Sequence, residues 1–159
     1  MGSGPGRRPA LYGTTSYGGS GPCTVITNGC GTVFSLTGPA SPGGAWTEAV
    51  LYNFIGPPGD GAYPASSLVI GSGPGAGLVL YGTTVRGSSN AGTVFSLTPP
   101  VSPEAAWTET VLYALPDSSA GPDGTLAISR GPGGHPVLYG TTQGGGTPYG
   151  LGTVFSLQP

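Results

Sequence analysis

The sequence predicts an all-β fold of repeated, propeller-like units, and three observations carry this prediction. Two motifs recur about every sixty residues: LYGTT begins at Leu11, Leu80 and Leu138, and GTVFSL begins at Gly31, Gly92 and Gly152. Glycine and proline account for 33 and 18 of the 159 residues and separate short blocks rich in Val, Leu, Tyr, Phe and Thr. Such blocks are typical of short strands joined by tight turns. No segment has the apolar spacing of an amphipathic helix.

A third block strengthens the repeat, because Ala45–Phe54 (AWTEAVLYNF) returns as Ala106–Leu115 (AWTETVLYAL). A fixed period predicts an array in which each unit buries its faces against its neighbours. The opening MGSG resembles an expression scar, but Gly2–Thr15 aligns without gaps on Gly71–Thr84. We therefore treat Gly2 onward as native and expect the chain to begin and end inside a repeat.

The middle copy predicts four sequential antiparallel strands: Ser67–Gly71, Leu78–Thr84, Gly92–Thr98 and Ala106–Leu115. The segments between them are short, as antiparallel neighbours require. In the third strand, alternation places Val94 and Ser96 opposite Phe95 and Leu97. In the fourth strand, alternation places Trp107, Val111, Tyr113 and Leu115 on one face, opposite Thr108, Thr110 and Leu112. Apolar groups on both faces indicate a sheet covered on both sides, as in a propeller blade.

The fold class is therefore a β-propeller-like array of four-stranded antiparallel blades that forms an incomplete ring of just under three repeats. Residues 1–54 make a first blade that lacks most of its inner strand. Residues 67–115 make a complete second blade, and residues 125–159 make a third blade without its outer strand. Other repeated β architectures remain open at this point.

Charge is scarce, with four arginines, no lysine and six acidic residues. Phosphate binding needs several clustered cations, so nucleic acid is not expected as a partner. There is no basic amphipathic segment and no apolar run long enough to span a bilayer, so membrane insertion is not expected either. An unknown protein or a glycan remains as the expected partner.

Cys23 and Cys30 interrupt the repetition. They lie in an insertion between the first LYGTT and GTVFSL motifs, and Asn28 and Gly29 between them form a strong hairpin signal. Cysteines flanking a small hairpin can come within bonding distance. We expect a disulfide, which also suits an oxidising compartment, and free thiols are the alternative.

The remaining polar candidates have structural interpretations. Glu48 and Glu109 recur after a Trp-Thr pair and are expected to be strand-edge carboxylates. Asp60 and Asp123 each precede a glycine between a fourth strand and the next unit, so an Asp-stabilised turn is favoured over a calcium site. His135 has no ligand or triad partner nearby and is expected in a solvated loop. No catalytic, cofactor-binding or metal-binding residue is predicted, and no cofactor.

In propellers, the loops joining the second strand to the third and the fourth strand to the next blade lie on one face. Here these are the segments that vary between copies, and variable loops usually carry function on a repeat scaffold. The ligand-face candidates taken from them are Tyr17, Asp60, Arg86, Asp117, Asp123 and Tyr149.

The order of LYGTT, a glycine-rich gap, GTVFSLTP, WTETVLY and a DG turn resembles the GloVer tandem repeat of bacterial surface proteins. The resemblance covers nearly three copies, and its paired LYGTT and GTVF blocks are specific. It implies β-propeller-like repeats on extracellular or cell-surface proteins, often with a C-terminal sorting anchor. It brings no catalytic motif, and the residues 1–159 contain fewer copies than a closed ring is expected to need.

The leading functional hypothesis is a non-enzymatic extracellular or cell-surface module that binds a partner or glycan through variable loops or serves as a scaffold. The alternative is a fragment of a propeller enzyme acting on carbohydrate or lactone substrates, with its active site in further blades. The second strand of the first unit and the third strand of the last are expected to be open edges, which favour self-association.

Overall fold

We describe a computed structural model that covers residues 8–23, 27–73, 77–87, 91–102, 104–116, 121–146 and 148–159. The protein is all-β, and the described residues contain no α-helix. The strands are β1 (Ala10–Thr15), β2 (Thr32–Thr37), β3 (Thr47–Asn53), β4 (Ala62–Pro64), β5 (Val69–Ser72), β6 (Leu78–Arg86), β7 (Thr93–Thr98), β8 (Thr108–Ala114), β9 (Pro122–Arg130), β10 (Pro136–Thr142) and β11 (Thr153–Leu157). A 3₁₀ turn at Pro132–Gly134 joins β9 to β10.

The strands form three antiparallel sheets, none of them closed. The first sheet has the order β1-β2-β3 and the third has the order β11-β10-β9. The middle sheet follows β4-β6-β7-β8, with β5 also pairing to β6. The sequence motifs pair identically in all three sheets, since the glycine of LYGTT always lies opposite the phenylalanine of GTVFSL. The sequence repeat is therefore also a repeat of strand register.

That glycine is required by the ring opposite it. A Cβ atom added at Gly82 would lie 2.7 Å from Cζ of Phe95, and one added at Gly13 would lie 2.7 Å from Cζ of Phe34. Because glycine has no side chain, the aromatic ring can lie flat across the neighbouring strand.

The second threonine of each LYGTT motif hydrogen-bonds across the strand pair. The hydroxyls of Thr84 and Thr93 lie 2.7 Å apart in the middle sheet. The equivalent hydroxyl pairs are Thr15 with Thr32 at 2.9 Å and Thr142 with Thr153 at 2.8 Å. These bonds link the LYGTT strand to the GTVFSL strand in all three sheets.

Each sheet has two distinct faces, which we name after their motif residues. The Phe face carries the leucine of LYGTT and the phenylalanine of GTVFSL, which are Leu80 and Phe95 in the middle sheet. The Val face carries the tyrosine of LYGTT and the valine of GTVFSL, which are Tyr81 and Val94 in the middle sheet. Paired residues of antiparallel strands share a face, so this division follows from the register.

Two apolar clusters join the sheets. In the first, Val33 from the Val face of the first sheet packs with Leu80 and Phe95 on the Phe face of the middle sheet. In the second, Val94 on the Val face of the middle sheet packs with Leu138 on the Phe face of the third. The middle sheet is thus covered on both sides, as its apolar alternation predicted.

The middle sheet contains five strands, so the four-stranded prediction is wrong there. β5 matches the predicted first strand, and β4 pairs with the other half of β6. In the third sheet, β9 alone pairs with both halves of β10, with an irregularity between Tyr139 and Thr141. In the middle sheet, the two short strands β4 and β5 therefore pair with β6, whereas in the third sheet the single strand β9 pairs along the whole of β10.

A register shift in β8 corrects the predicted face of one residue. Val111 pairs with Phe95, whereas Tyr113 pairs with Val94, so the two lie on opposite faces. Leu112 is the extra residue of this bulge, and strict alternation does not hold across a bulge. The same shift occurs between β2 and β3.

The outer sheets have three strands each, and β1 and β11 lie at their edges among the described strands. This matches the open edges expected from the repeat alignment. Trp107 packs against the first cluster but stays partly exposed, and Trp46 is 47% exposed. Neither tryptophan of the recurring AWTE block is therefore fully buried.

Candidate functional site

Tyr63 lies between two residues that the sequence marked as candidates, Tyr17 and Arg86. The ring centroids of Tyr17 and Tyr63 are 5.5 Å apart, and the Arg86 guanidinium carbon lies 5.9 Å from the Tyr63 centroid. Tyr17 is 62% exposed, Arg86 is exposed and Tyr63 is partly buried. We call these three residues the Tyr63 cluster.

Three separate segments bring the cluster together. Tyr17 follows β1, Arg86 ends β6, and Tyr63 lies in β4, the short strand between the first and second repeats. Tyr17 and Arg86 thus belong to the predicted variable loops, and Tyr63 belongs to the connection between repeats. Sequence reasoning missed Tyr63, because a Tyr-Pro pair in a short segment gives no strand periodicity.

The backbone of Tyr63 is held in the left-handed region, with φ of 58°. It is the one non-glycine residue with positive φ that the described part of the chain contains. This conformation costs about 1–3 kcal/mol and persists only where the surroundings impose it. Pairing of Ala62 and Pro64 with β6 on either side imposes it here. Strain of this kind at a part-exposed aromatic residue is typical of functional positions.

A disulfide supports the same segment. Cys23 and Cys30 are joined, with their Cα atoms 5.2 Å apart. Cys30 is fully buried, and its carbonyl accepts a hydrogen bond of 2.9 Å from the Tyr63 amide. The covalent loop therefore fixes the acceptor that holds Tyr63.

Asp60, another ligand-face candidate, is directed inward. It is 4% exposed, its Oδ1 accepts the Gly61 amide at 2.6 Å, and its Oδ2 accepts the Ile55 amide at 2.8 Å and the Tyr52 hydroxyl at 3.2 Å. Burial raises the pKa of Asp60, although these hydrogen bonds oppose the shift. The carboxylate stabilises its own turn, as the turn interpretation expected, and both of its oxygens are engaged within the chain.

Asp123 is not equivalent to Asp60. Pro64 pairs with Thr84 and Pro122 pairs with Thr142, so the two prolines occupy matching positions. Asp60 precedes its proline, whereas Asp123 follows its own and lies exposed on β9. Aligning the two Asp-Gly dipeptides with each other was therefore wrong. Equivalent positions in the repeats are defined by strand pairing, which the dipeptides do not follow.

The two remaining candidates are Tyr149 and Asp117. Tyr149 is 80% exposed in the loop between β10 and β11 of the third sheet. Asp117 lies outside the described residues.

Glu109 differs from its repeat partner Glu48. Glu109 pairs with Leu97 on the covered Phe face of the middle sheet, whereas Glu48 pairs with Leu36 on the uncovered Phe face of the first and is exposed. Burial, and secondarily the nearby charge of Asp60, raises the pKa of Glu109 to about 7. Its Oε1 is buried, with no hydrogen-bond partner in the described structure. Glu109 does lie on β8, the edge strand of the middle sheet, and its burial is the feature that the repeat did not predict.

A cleft of about 910 Å³ lies between the middle and third sheets. Ile70, Tyr81 and Ile128 contribute apolar surface to it, and Arg130 and His135 are its basic lining residues. His135 is exposed beside the β9–β10 turn, in agreement with the solvated loop position expected for it. The cleft was missed because it arises from packing between sheets, which no single motif encodes.

Within the described ranges, no three His, Cys, Asp or Glu side chains group as metal ligands would, and no helix has the length and apolarity to cross a membrane. Comparison of the chain with protein-family models, with curated proteins and with solved structures found no match. The resemblance to GloVer repeats therefore stays a prediction.

Proposed function

We propose that this chain is a non-enzymatic extracellular or cell-surface repeat module that binds a glycan through the Tyr63 cluster. The observation that carries the proposal is the convergence of Tyr17, Tyr63 and Arg86 at the junction of two repeats. The cluster combines exposed aromatic area, a cation and a strained backbone held in place by its neighbours.

The chemistry of these side chains suits a sugar. The face of an aromatic ring carries partial negative charge, and it attracts the weakly positive C–H groups on one side of a pyranose. The guanidinium of Arg86 offers several fixed donors for sugar hydroxyl or carboxylate oxygens. Its position over the Tyr63 ring is favoured by the cation–π attraction and keeps the donors beside the aromatic surface.

The proposed setting is a propeller-like array in which each sheet is one blade. Two observations support it: the sheets pack Val face against Phe face at both junctions, and the motif register repeats in each sheet. The GloVer resemblance agrees with this arrangement. The Cys23–Cys30 disulfide supports an oxidising, extracellular location.

The alternative is an enzyme on carbohydrate or lactone substrates, and one observation favours it. Burial, and secondarily the charge of Asp60, raises the pKa of Glu109 to about 7, which suits a general acid. However, the oxygens of Asp60 already accept three hydrogen bonds from the chain itself. Binding is therefore the better supported function.

A glycan array tests the proposal, with the wild-type chain, Tyr17→Ala and Tyr149→Ala compared at equal concentration. Tyr149→Ala is the matched control, since it removes an exposed tyrosine of a variable loop outside the cluster. We expect glycan signals for the wild type and for Tyr149→Ala, and their loss in Tyr17→Ala. Absence of any glycan signal, or equal signals from all three proteins, would overturn the proposal. Hydrolysis of an array sugar would favour the enzyme.

A further inference from the structure

The two outermost sheet faces of the chain are complementary to each other. Among the described residues, no cluster covers the Phe face of the first sheet or the Val face of the third. Inside the chain, both apolar clusters between neighbouring sheets join a Val face to a Phe face. The chain thus exposes one Phe face and one Val face, the two kinds of face that pack together at both of its internal sheet junctions.

The solvent exposure of equivalent residues can be compared between the uncovered and the covered faces. On the Phe face, Leu80 and Leu138 are 0% exposed, whereas Leu11 is 56% exposed. The leucines occupy the same register position, and among the described strands Leu11 lacks both a covering sheet and, because β1 is an edge strand, a strand on its outer side.

The Val face shows the converse pattern. Val33 and Val94 are 0% exposed, whereas Val154 is 80% exposed. The tyrosine beside this position is 3% exposed at Tyr81 and 43% exposed at Tyr139. Leu11 is therefore exposed on the first sheet, and Val154 is exposed on the third.

We propose that the Phe face of the first sheet in one copy of this chain docks on the Val face of the third sheet in a second copy. Burying apolar area of this kind is favourable, and the partner face has the residues that cover the same motif within the chain. The contact joins two different faces, so it is heterologous and closes only as a ring. Two copies of three sheets would supply six sheets, within the four to eight of closed propellers. We therefore infer a two-copy ring.

Face docking differs from pairing of the open strand edges. Edge pairing would join β1 or β11 to another backbone without covering the Phe face of the first sheet or the Val face of the third. Face docking buries both side chains, so a charged side chain at either position disrupts it. Single substitutions at Leu11 and Val154 therefore distinguish face docking from edge pairing.

The test is the mass of the purified chain in solution at about 50 μM, by light scattering after size exclusion. We expect the wild type at twice the 15.5 kDa of one chain, and Leu11→Arg and Val154→Arg each at 15.5 kDa. Val101→Arg is the matched control, because Val101 is a fully exposed valine in the loop between β7 and β8, and it should stay dimeric. Circular dichroism of each variant shows whether the fold is retained.

Mixing the two variants makes the test specific. Leu11→Arg keeps an intact Val face and Val154→Arg keeps an intact Phe face, so the mixture should recover dimer through one sound interface. A monomeric wild type would overturn the proposal, as would dimeric single variants with β-type spectra. A mixture that stays monomeric, although the wild type is dimeric, would also contradict a heterologous contact.

Discussion

Phe54 packs edge-to-face against Phe95, with their ring centroids 5.2 Å apart and both side chains fully buried. Phe54 follows the last strand of the first repeat, and Phe95 lies at the centre of the second. The pair therefore connects two sheets that share no strand pairing. Stability of the array depends on such contacts, because neighbouring units of a repeat protein stabilise one another.

The first prediction concerns Phe95. Phe95→Ala should lower the free energy of unfolding by about 3–5 kcal/mol, as for a buried aromatic residue. Phe34→Ala is the matched control, because Phe34 occupies the same register position on the uncovered face of the first sheet. Its loss should stay below about 2 kcal/mol, since less apolar area leaves water there. Urea denaturation measures both, and equal losses would contradict the stacking of the sheets.

The second prediction concerns Gly82. In Gly82→Ala the new methyl group would meet the Phe95 ring at 2.7 Å and Cδ2 of Leu68 at 2.9 Å. Overpacking of this kind should destabilise by about 1–3 kcal/mol. Gly59→Ala adds the same methyl group where no atom lies within 4 Å, and it should be nearly neutral. A thermal melt in which both variants behave alike would show that the ring does not lie over Gly82.

The third prediction is a pH dependence that comes from Glu109. Its folded-state pKa is raised from 4.5 to about 7, so the folded state holds the proton more tightly than the unfolded state. That stability is fully present below about pH 4.5 and is lost as the pH rises through about 7. Glu109→Gln should therefore be more stable than the wild type at pH 8, by about 1–2 kcal/mol once solvent screening of this part-exposed group is allowed for.

Glu48→Gln provides the control for this effect, because Glu48 is exposed at the same repeat position. It should leave the slope of stability against pH unchanged. Chemical denaturation between pH 4 and pH 8 follows the slope of each variant. A wild type whose stability does not fall between pH 5 and pH 8, relative to Glu109→Gln, would show that Glu109 titrates normally.

The fourth prediction concerns the disulfide. Peptide mapping without reductant should show Cys23 joined to Cys30 in protein made under oxidising conditions. Loss of this small loop in Cys23→Ser should cost about 2–3 kcal/mol and leave the transition cooperative. Hydrogen exchange should rise at the Tyr63 amide, because its acceptor belongs to Cys30. Two freely alkylated thiols in the folded protein would rule out the bridge.

Much of the fold could be predicted because the sequence repeats in register. The paired motifs located strands β5 to β8 and the two outer edges, and alternation located the covered faces of Val94 and Phe95. The short β4 could not be found, because Tyr63 and Pro64 show no alternation and its place is set by pairing with β6. The bulge at Leu112 likewise could not be predicted, since an extra residue in a strand leaves no clear sequence signal.

The candidate site was only half predictable. Variable loops identified Tyr17 and Arg86, but the residue that joins them, Tyr63, lies in a connection that resembled a plain linker. Glu48 and Glu109 show a second limit. Identical sequence surroundings gave identical interpretations, whereas burial depends on whether another sheet covers the face, and that information lies outside the motif.

The central claim is that Tyr63 is held in a strained conformation in order to bind, and Tyr63→Gly tests it most directly. Glycine accepts a φ of 58° without strain. Relief of strain should therefore offset the lost ring packing and keep the free energy of unfolding within about 1 kcal/mol of the wild type. Isothermal titration with the strongest array glycan should show binding weakened at least about tenfold, equivalent to 1.4 kcal/mol, while Tyr149→Ala binds as the wild type. Unchanged affinity in a folded Tyr63→Gly protein would contradict the account.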